Sequence, residues 1–341
     1  MSPSLLKSVT AAAVMRNLQG PILEIAGLRK DYGDIEAVRG LDLTLHFGEI
    51  FGLLGPNGAG KTSTINMITG LVKPTSGSIS LKGIDCIAHV KRIQGDIGVV
   101  PDESNLYDEL SGFDNLVFCA SLYGMRKAVR EQRATELLET FSLSDTGKRP
   151  FKAYSKGMKR KLTIAAAIMH QPPVLFLDEP TTGIDVESAR QIRLLIKSLN
   201  RKGTTIMLTT HYLEEAQRLC GRIAFIARGR IVKTGTVDEL LGGLRSDHLL
   251  HLTVGGQADQ LAAMLHQHHP SLRCTEKGTH VVEISSDSPV ELHPITAFLS
   301  GHGFPVYEAR RVEPTLEDVF IAVTGINAGE LESREKGGRK R

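Results

Sequence analysis

The stretch Glu49-Ile50-Phe51-Gly52-Leu53-Leu54-Gly55-Pro56-Asn57-Gly58-Ala59-Gly60-Lys61-Thr62 joins a short apolar run to the octapeptide G-x-x-x-x-G-K-T. Glu49 to Leu54 reads as a buried strand, and Thr64 to Gly70 as the beginning of a helix. The glycines between them let the backbone bend until several N–H groups converge on one point, which suits a polyphosphate chain. Lys61 can reach the β- and γ-phosphates, and the Thr62 hydroxyl can ligate Mg²⁺. The helix N-terminus adds a dipole that favours the anion. Strand, glycine loop and helix in this order predict a nucleotide site.

At 341 residues the chain is too long for one small core, and two domains are expected. Hydrophobic residues at 41% and charged residues at 23% are ordinary for a soluble globular protein. The apolar stretch Leu162 to Met169 falls far short of the roughly 20 residues of a membrane span. The run Ala11-Ala12-Ala13-Val14-Met15 lacks a signal-peptide layout, so the chain is expected neither to cross a membrane nor to be exported. Cys86, Cys119, Cys220 and Cys274 are scattered without metal or disulfide spacing and read as free thiols of a reducing cytosol. The net charge of +3 hides an asymmetry, because residues 246–325 hold four Lys+Arg against ten Asp+Glu. The basic remainder could suggest nucleic acid, but its cations are dispersed, and no specific nucleic-acid partner is expected.

Residues 1–20 read as a loose extension. Ile22 to Leu28, Ala37 to Val38, Leu41 to Leu45 and Ser78 to Lys82 read as short strands around the glycine loop. Apolar residues at helical spacing follow in Phe113 to Leu122 and Lys127 to Phe141, the sign of a helical insert over about 106–160. Val174-Leu175-Phe176-Leu177 is then a continuous apolar run, too short for a helix and suited to a central parallel strand. Asp178 and Glu179 follow it directly. Open parallel sheets hold ligands at that strand end, where an Asp can enter a metal shell and a Glu can accept a proton from water. An amphipathic helix from Glu187 to Arg201, a strand from Thr204 to Thr209, a helix from Leu213 to Cys220 and a hairpin turned at Arg228-Gly229 complete this portion. Beyond Gly242-Gly243 the order β-α-β-β-α-β plus a helix fits a ferredoxin-like lobe over 246–325, and residues 326–341 read as a disordered charged tail. The lobe also carries His266, His268 and His269, read as an exposed helix end because no acid or Cys spacing accompanies them.

Further motifs fall into a known order. Tyr154-Ser155-Lys156-Gly157-Met158, followed by Lys159-Arg160-Lys161, precedes the Asp178 strand. Thr182-Gly183-Ile184-Asp185 follows it, and His211 comes after Thr209-Thr210. In these residues, from about Ile22 to Thr236, the chain resembles the ATP-binding subunits of ATP-binding-cassette (ABC) transporters. The resemblance implies an α/β fold over residues 21–241: a P-loop NTPase parallel sheet with an antiparallel β subdomain and the helical insert, followed by the small α+β lobe. It implies an ATPase with ATP and Mg²⁺ as its cofactors. ATP would be held by Gly55, Pro56, Asn57, Gly58, Ala59, Gly60, Lys61, Thr62 and Ser63, with Tyr32 stacking on adenine. Ser155 and Gly157 would come from the second copy of a head-to-tail homodimer, and Asp185 would communicate across its interface. Catalytic roles would fall to Lys61, Glu179 as the base and His211 on the γ-phosphate. The metal would take Thr62, Asp178 and Asp102, the last standing where the family has a glutamine.

Lys156 and Met158 depart from the common Leu-Ser-Gly-Gly-Gln signature and look like the drug, antibiotic and polysaccharide exporter branch. The implied partner is a separately encoded transmembrane permease, with Glu103, Tyr107 and Asp108 as contacts and the chain peripheral on the cytoplasmic face of the cell membrane. A soluble ABC ATPase acting on ribosomes or DNA usually has two cassettes or a long coiled-coil insertion, and neither is visible. An importer ATPase would carry the common signature and the glutamine, which this chain lacks.

Overall fold

The computed structural model describes residues 20–242, 249–256, 258–312 and 314–326. Apart from Gly20 and Ile326, the expected N-terminal extension and charged tail lie outside them. The chain divides into two compact units, one reaching Val237 and including residues from Val323 onward, the other spanning Asp238–Ala322. Gly242, half of the double glycine read as a boundary, ends a short helix, Val237–Gly242, most of which already belongs to the second unit.

The first unit is built on two sheets. Strands β1 (Pro21–Tyr32), β2 (Ile35–His46), β4 (Ser76–Leu81) and β5 (Ile84–Asp85) form an antiparallel sheet in the order β2-β1-β4-β5. The hairpin of β1 and β2 is longer than the apolar clusters in it, because polar residues such as Arg29 and Arg39 continue the pairing beyond the buried part. The second sheet contains β3 (Ile50–Leu54), β6 (Ile97–Val100), β7 (Val174–Asp178), β8 (Thr205–Thr210), β9 (Arg222–Ala227) and β10 (Arg230–Thr236), in the order β10-β9-β3-β8-β7-β6. All of its pairings are parallel except that of β9 with β10. Strands β3, β7 and β8 are buried at every position, as central strands covered on both faces should be, with Thr205, Thr209 and Thr210 of β8 buried beside its apolar residues. Ile22, Leu28, Leu41 and Ile79 of the antiparallel sheet share one core with Phe51, Phe176, Met207 and Ile226 of the parallel one. The insert supplies helices Gly112–Leu122, Lys127–Thr140 and Lys156–Ala167.

In the second unit, β11 (Leu249–Val254), β12 (Arg273–Gly278), β13 (Val281–Ser285) and β14 (Val306–Val312) pair antiparallel in the order β12-β13-β11-β14. Leu250, Leu252 and Val254 alternate with half-buried His251 and Thr253, so one face of the sheet is apolar. Leu261 and Leu265 of helix Ala258–His268, and Ile295 and Leu299 of helix Leu292–Gly301, join that face in one core. This is the expected ferredoxin-like order. His268 and His269 lie against Phe298, with ring centroids 4.7 and 5.8 Å away.

Candidate functional site: the phosphate loop and its facing acids

The loop between β3 and the next helix needs glycine for three separate reasons. A Cβ on Gly55 would fall 2.1 Å from the Ile226 carbonyl oxygen, so only glycine lets the loop pass β9. Gly60 has φ +106, and a Cβ there would meet the Ala37 carbonyl oxygen at 2.6 Å. Gly58, at φ +80, has open space around it. Because Gly60 takes the left-handed turn, the helix starts at Lys61 and runs to Ile68, three residues earlier than the sequence expectation of Thr64. Thr64 N–H is the first to bond back, to the Gly60 carbonyl at 2.9 Å. Lys61, Thr62 and Ser63 therefore form the first helical turn, where backbone N–H groups have no partner within the helix.

Lys61 is 6% exposed. Its ammonium donates to the carbonyls of Gly55 (2.7 Å) and Pro56 (3.3 Å) and stands 3.3 Å from Glu179 Oε1. Asp178 ends β7 as a buried acid and accepts a hydrogen bond from the Thr209 hydroxyl. Glu179 leaves the strand at φ +47. Its Oε2 accepts from Thr182 Oγ1 at 3.0 Å and lies 2.9 Å from His211 Nδ1, while Oε1 is buried without a hydrogen-bond donor. Burial pushes this carboxyl's pKa up, but the His211 hydrogen bond, the Lys61 charge and the Thr182 hydroxyl together outweigh it and leave the pKa below the usual value. Glu179 is thus a carboxylate held between a lysine and a histidine at the end of a buried strand. That is what a base for water next to a polyphosphate requires.

Ser155, Gly157 and Asp185 gather in a second cluster. Ser155 caps helix Lys156–Ala167, accepting from Met158 N–H at 3.3 Å, and Asp185 caps helix Val186–Arg201, accepting from Ser188 N–H at 2.9 Å. The two helices touch where a Cβ on Gly157 would fall 2.4 Å from Ser188 Oγ. Tyr32 ends β1 as a residue 45% exposed, with Lys30 Nζ 4.9 Å from its ring centroid. Asp102 follows β6 with a side chain 55% exposed, its Oδ1 3.6 Å from the buried Arg160 guanidinium. Burial raises its pKa, Arg160 lowers it, and Asp178 and Glu179 raise it again, so Asp102 lies within the electrostatic reach of both acids. Arg160 also donates to the Pro101 carbonyl at 2.5 Å and to that of Asp102, fastening this loop to helix Lys156–Ala167.

Thr209, Thr182, Arg160 and Glu215 escaped the sequence reading as site residues. The signal for Thr209 was a hydroxyl near the end of a buried strand, two residues before a His. Thr182 lies only three residues from Glu179, but nothing in the sequence shows that the turn folds its hydroxyl back onto that acid. For Arg160 and Glu215 the partner is distant in sequence and only the fold brings it near.

The matches to known proteins agree with this geometry. The ABC transporter family model matches residues 38–182. The linearmycin resistance ATP-binding protein of Bacillus subtilis (strain 168) is 37% identical over 89% of this chain and 98% of its own length. The Nod factor export ATP-binding protein I of Cupriavidus pinatubonensis is also 37% identical, over 89% of this chain and 91% of its own. A solved dimeric ATP-binding cassette in a post-hydrolysis state, bound to ADP and Pi, superposes with a TM-score of 0.58 at 27% identity, covering 63% of this chain and 98% of that one. With the glycine loop, the paired acids and His211 in one place and relatives matched nearly end to end, this chain belongs to the ATP-hydrolysing ATP-binding proteins of the ABC transporter family.

Proposed function

We propose that two copies of this chain close head to tail on ATP and hydrolyse it to drive a separately encoded membrane permease in export, from the cytoplasmic face of the membrane. The observation that carries the reading is the Lys61–Glu179–His211 cluster at the mouth of the phosphate loop. In this reading Gly55, Pro56, Asn57, Gly58, Ala59, Gly60, Lys61, Thr62 and Ser63 hold the phosphates and Tyr32 stacks on adenine. Ser155 and Gly157 of the second copy complete the site, and Asp185 signals between copies. Glu179 takes the proton of the attacking water and His211 hydrogen-bonds the γ-phosphate. Export, rather than action on ribosomes or DNA, is supported by the names of relatives that span nearly the whole chain. For the permease, Tyr107 and Phe118 offer an exposed edge-to-face aromatic pair, centroids 5.1 Å apart, with exposed Asp108 next to Tyr107 in sequence and exposed Glu103 as a further contact.

The residues present suit Mg²⁺. Asp178 is a buried acid at the strand end, Thr62 is exposed on the first helical turn, and the neighbouring Glu179 Oε1 is buried without a hydrogen-bond donor. Bound magnesium would neutralise charge on the phosphate oxygens. Asp102 is proposed as a further acid toward the metal. Two unit charges about 4 Å apart interact by roughly 4 kcal/mol at an effective dielectric near 20, so one more carboxylate matters even after screening. Asp102→Gln is expected to raise the Mg²⁺ concentration for half-maximal hydrolysis with little change in ATP affinity at saturating metal. Superimposable Mg²⁺ titrations of the wild type and the variant would take Asp102 out of the metal shell.

The direct test of the whole reading is phosphate release from ATP by the purified chain, with and without Mg²⁺ and with any multi-helix membrane protein that a neighbouring gene encodes. Metal-dependent hydrolysis and co-purification of the two proteins are expected. A chain that turns over ATP but binds ribosomes or DNA in place of that membrane protein would overturn the export assignment.

A further inference from the structure

We infer that Glu215, which lies outside every motif of the nucleotide site, is a positioning residue that fixes the backbone from which Glu179 acts. This rests on the reading of Glu179 as the base. At φ +47, Glu179 sits in the left-handed region, which a non-glycine residue occupies when its surroundings hold it there. One side of that hold is β8: the Glu179 N–H donates to the Thr209 carbonyl and hydroxyl oxygens, each at 3.2 Å. On the other side the chain turns through Pro180 and Thr181, closed by Thr182 N–H donating to the Glu179 carbonyl at 3.3 Å.

The turn is fastened to the rest of the fold through Thr181. Its hydroxyl donates to the Glu215 carboxylate, lying 2.6 Å from Oε1 and 2.5 Å from Oε2. Glu215 projects from helix Leu213–Leu219 and is 6% exposed. It also accepts from Thr210 Oγ1 at 3.5 Å, directly before His211, and Arg193 of helix Val186–Arg201 comes within 3.9 Å. One buried carboxylate therefore joins the turn after Glu179, the strand end before His211 and the helix that Asp185 caps. A buried carboxylate carries a large desolvation cost and persists where several donors face it, as they do here. Glu215 itself touches neither Lys61 nor the loop carbonyls that Lys61 binds. Its effect reaches the nucleotide through the placement of Glu179 and His211.

The test uses the full chain and separates turnover from binding. Thr181→Val keeps the side-chain shape and removes the donor to Glu215. It is expected to lower kcat by about 10²-fold, the scale of a small misplacement of a reacting group, with KM for ATP changed less than about twofold. Thr181→Ser restores the hydroxyl and should return most of the lost kcat. Glu215→Ala should match Thr181→Val, and the double variant should lose no more than either single one, because both cut the same link. Wild-type turnover in Thr181→Val, failure of serine to rescue, or additive losses in the double variant would each overturn the inference. If Glu215→Ala fails to fold, the Val and Ser pair at position 181 still decides. Glu179→Gln is the control. Undiminished turnover there overturns the base assignment itself, whereas an inactive Glu179→Gln beside a fully active Thr181→Val overturns only the role of Glu215.

Discussion

Glu179→Gln is expected to lower ATP turnover by about 10²–10⁴-fold, the usual contribution of a positioned general base, while ATP binding persists. Glutamine keeps the length and volume of the side chain and can still accept from Thr182 or His211. It has no carboxylate to take a proton from water. The wild-type carboxyl is ionised at neutral pH because the His211 and Thr182 hydrogen bonds and the Lys61 charge outweigh the upward push of burial. Since its folded-state pKa lies below the unfolded value, its stabilisation is fully present above the unfolded pKa and is lost as pH falls through the folded one. The variant should therefore lose both its hydrolysis and this part of its acid sensitivity. It should also accumulate as a closed dimer in ATP if, as proposed, nucleotide closes the dimer and hydrolysis reopens it. Phosphate release and light scattering with ATP check this together. Persistent hydrolysis with monomers alone in solution would remove Glu179 as the base.

Lys61→Ala should have the other large effect, near-complete loss of ATP binding or turnover. The ammonium donates to the Gly55 and Pro56 carbonyls and stands 3.3 Å from Glu179 Oε1. A polyphosphate offers it stronger, fully charged acceptors, and Lys61 is the one mobile cation of the loop itself. Alanine removes that cation. It also leaves Glu179 Oε1, already without a hydrogen-bond donor, lacking its nearby charge, and a buried carboxylate that loses its partner is costly. Lys61→Arg should not rescue fully, because the pocket leaves only 6% of the side chain accessible and a planar guanidinium needs more room. Titration with a fluorescent ATP analogue, alongside hydrolysis, measures the loss. Unchanged affinity together with unchanged turnover would overturn the phosphate-loop assignment.

Much of the fold was legible because the parallel strands are buried on both faces and so appear as unbroken apolar runs, as in Val174-Leu175-Phe176-Leu177. In the second unit, alternation along β11 and β13 gave the strands and the order of elements gave the topology. Boundaries were less legible where polar residues extend an element. The β1–β2 hairpin continues past its apolar part through backbone pairing, which side-chain pattern does not encode. The start of the helix at Lys61 followed from the left-handed Gly60, and a glycine does not announce which of its allowed conformations it adopts.

The sequence by itself determined the chemistry on offer: a glycine loop with its lysine, two acids closing a buried strand, a histidine closing another. Each of these is local, since its meaning depends on a few neighbouring residues and on the period of burial around them. Tertiary structure alone decided which of them meet. Parallel pairing of β7 with β8 sets Asp178 opposite Thr209 and brings His211 to Glu179, 32 residues away along the chain. Packing of helices on the sheet brings the Arg160 guanidinium to the Asp102 loop and Glu215 to Thr181, contacts across 58 and 34 residues. Such contacts leave no periodic trace in the sequence, because either partner alone reads as an ordinary polar residue on a helix or turn. They exist only when the sheet has assembled and excluded water from both sides of them.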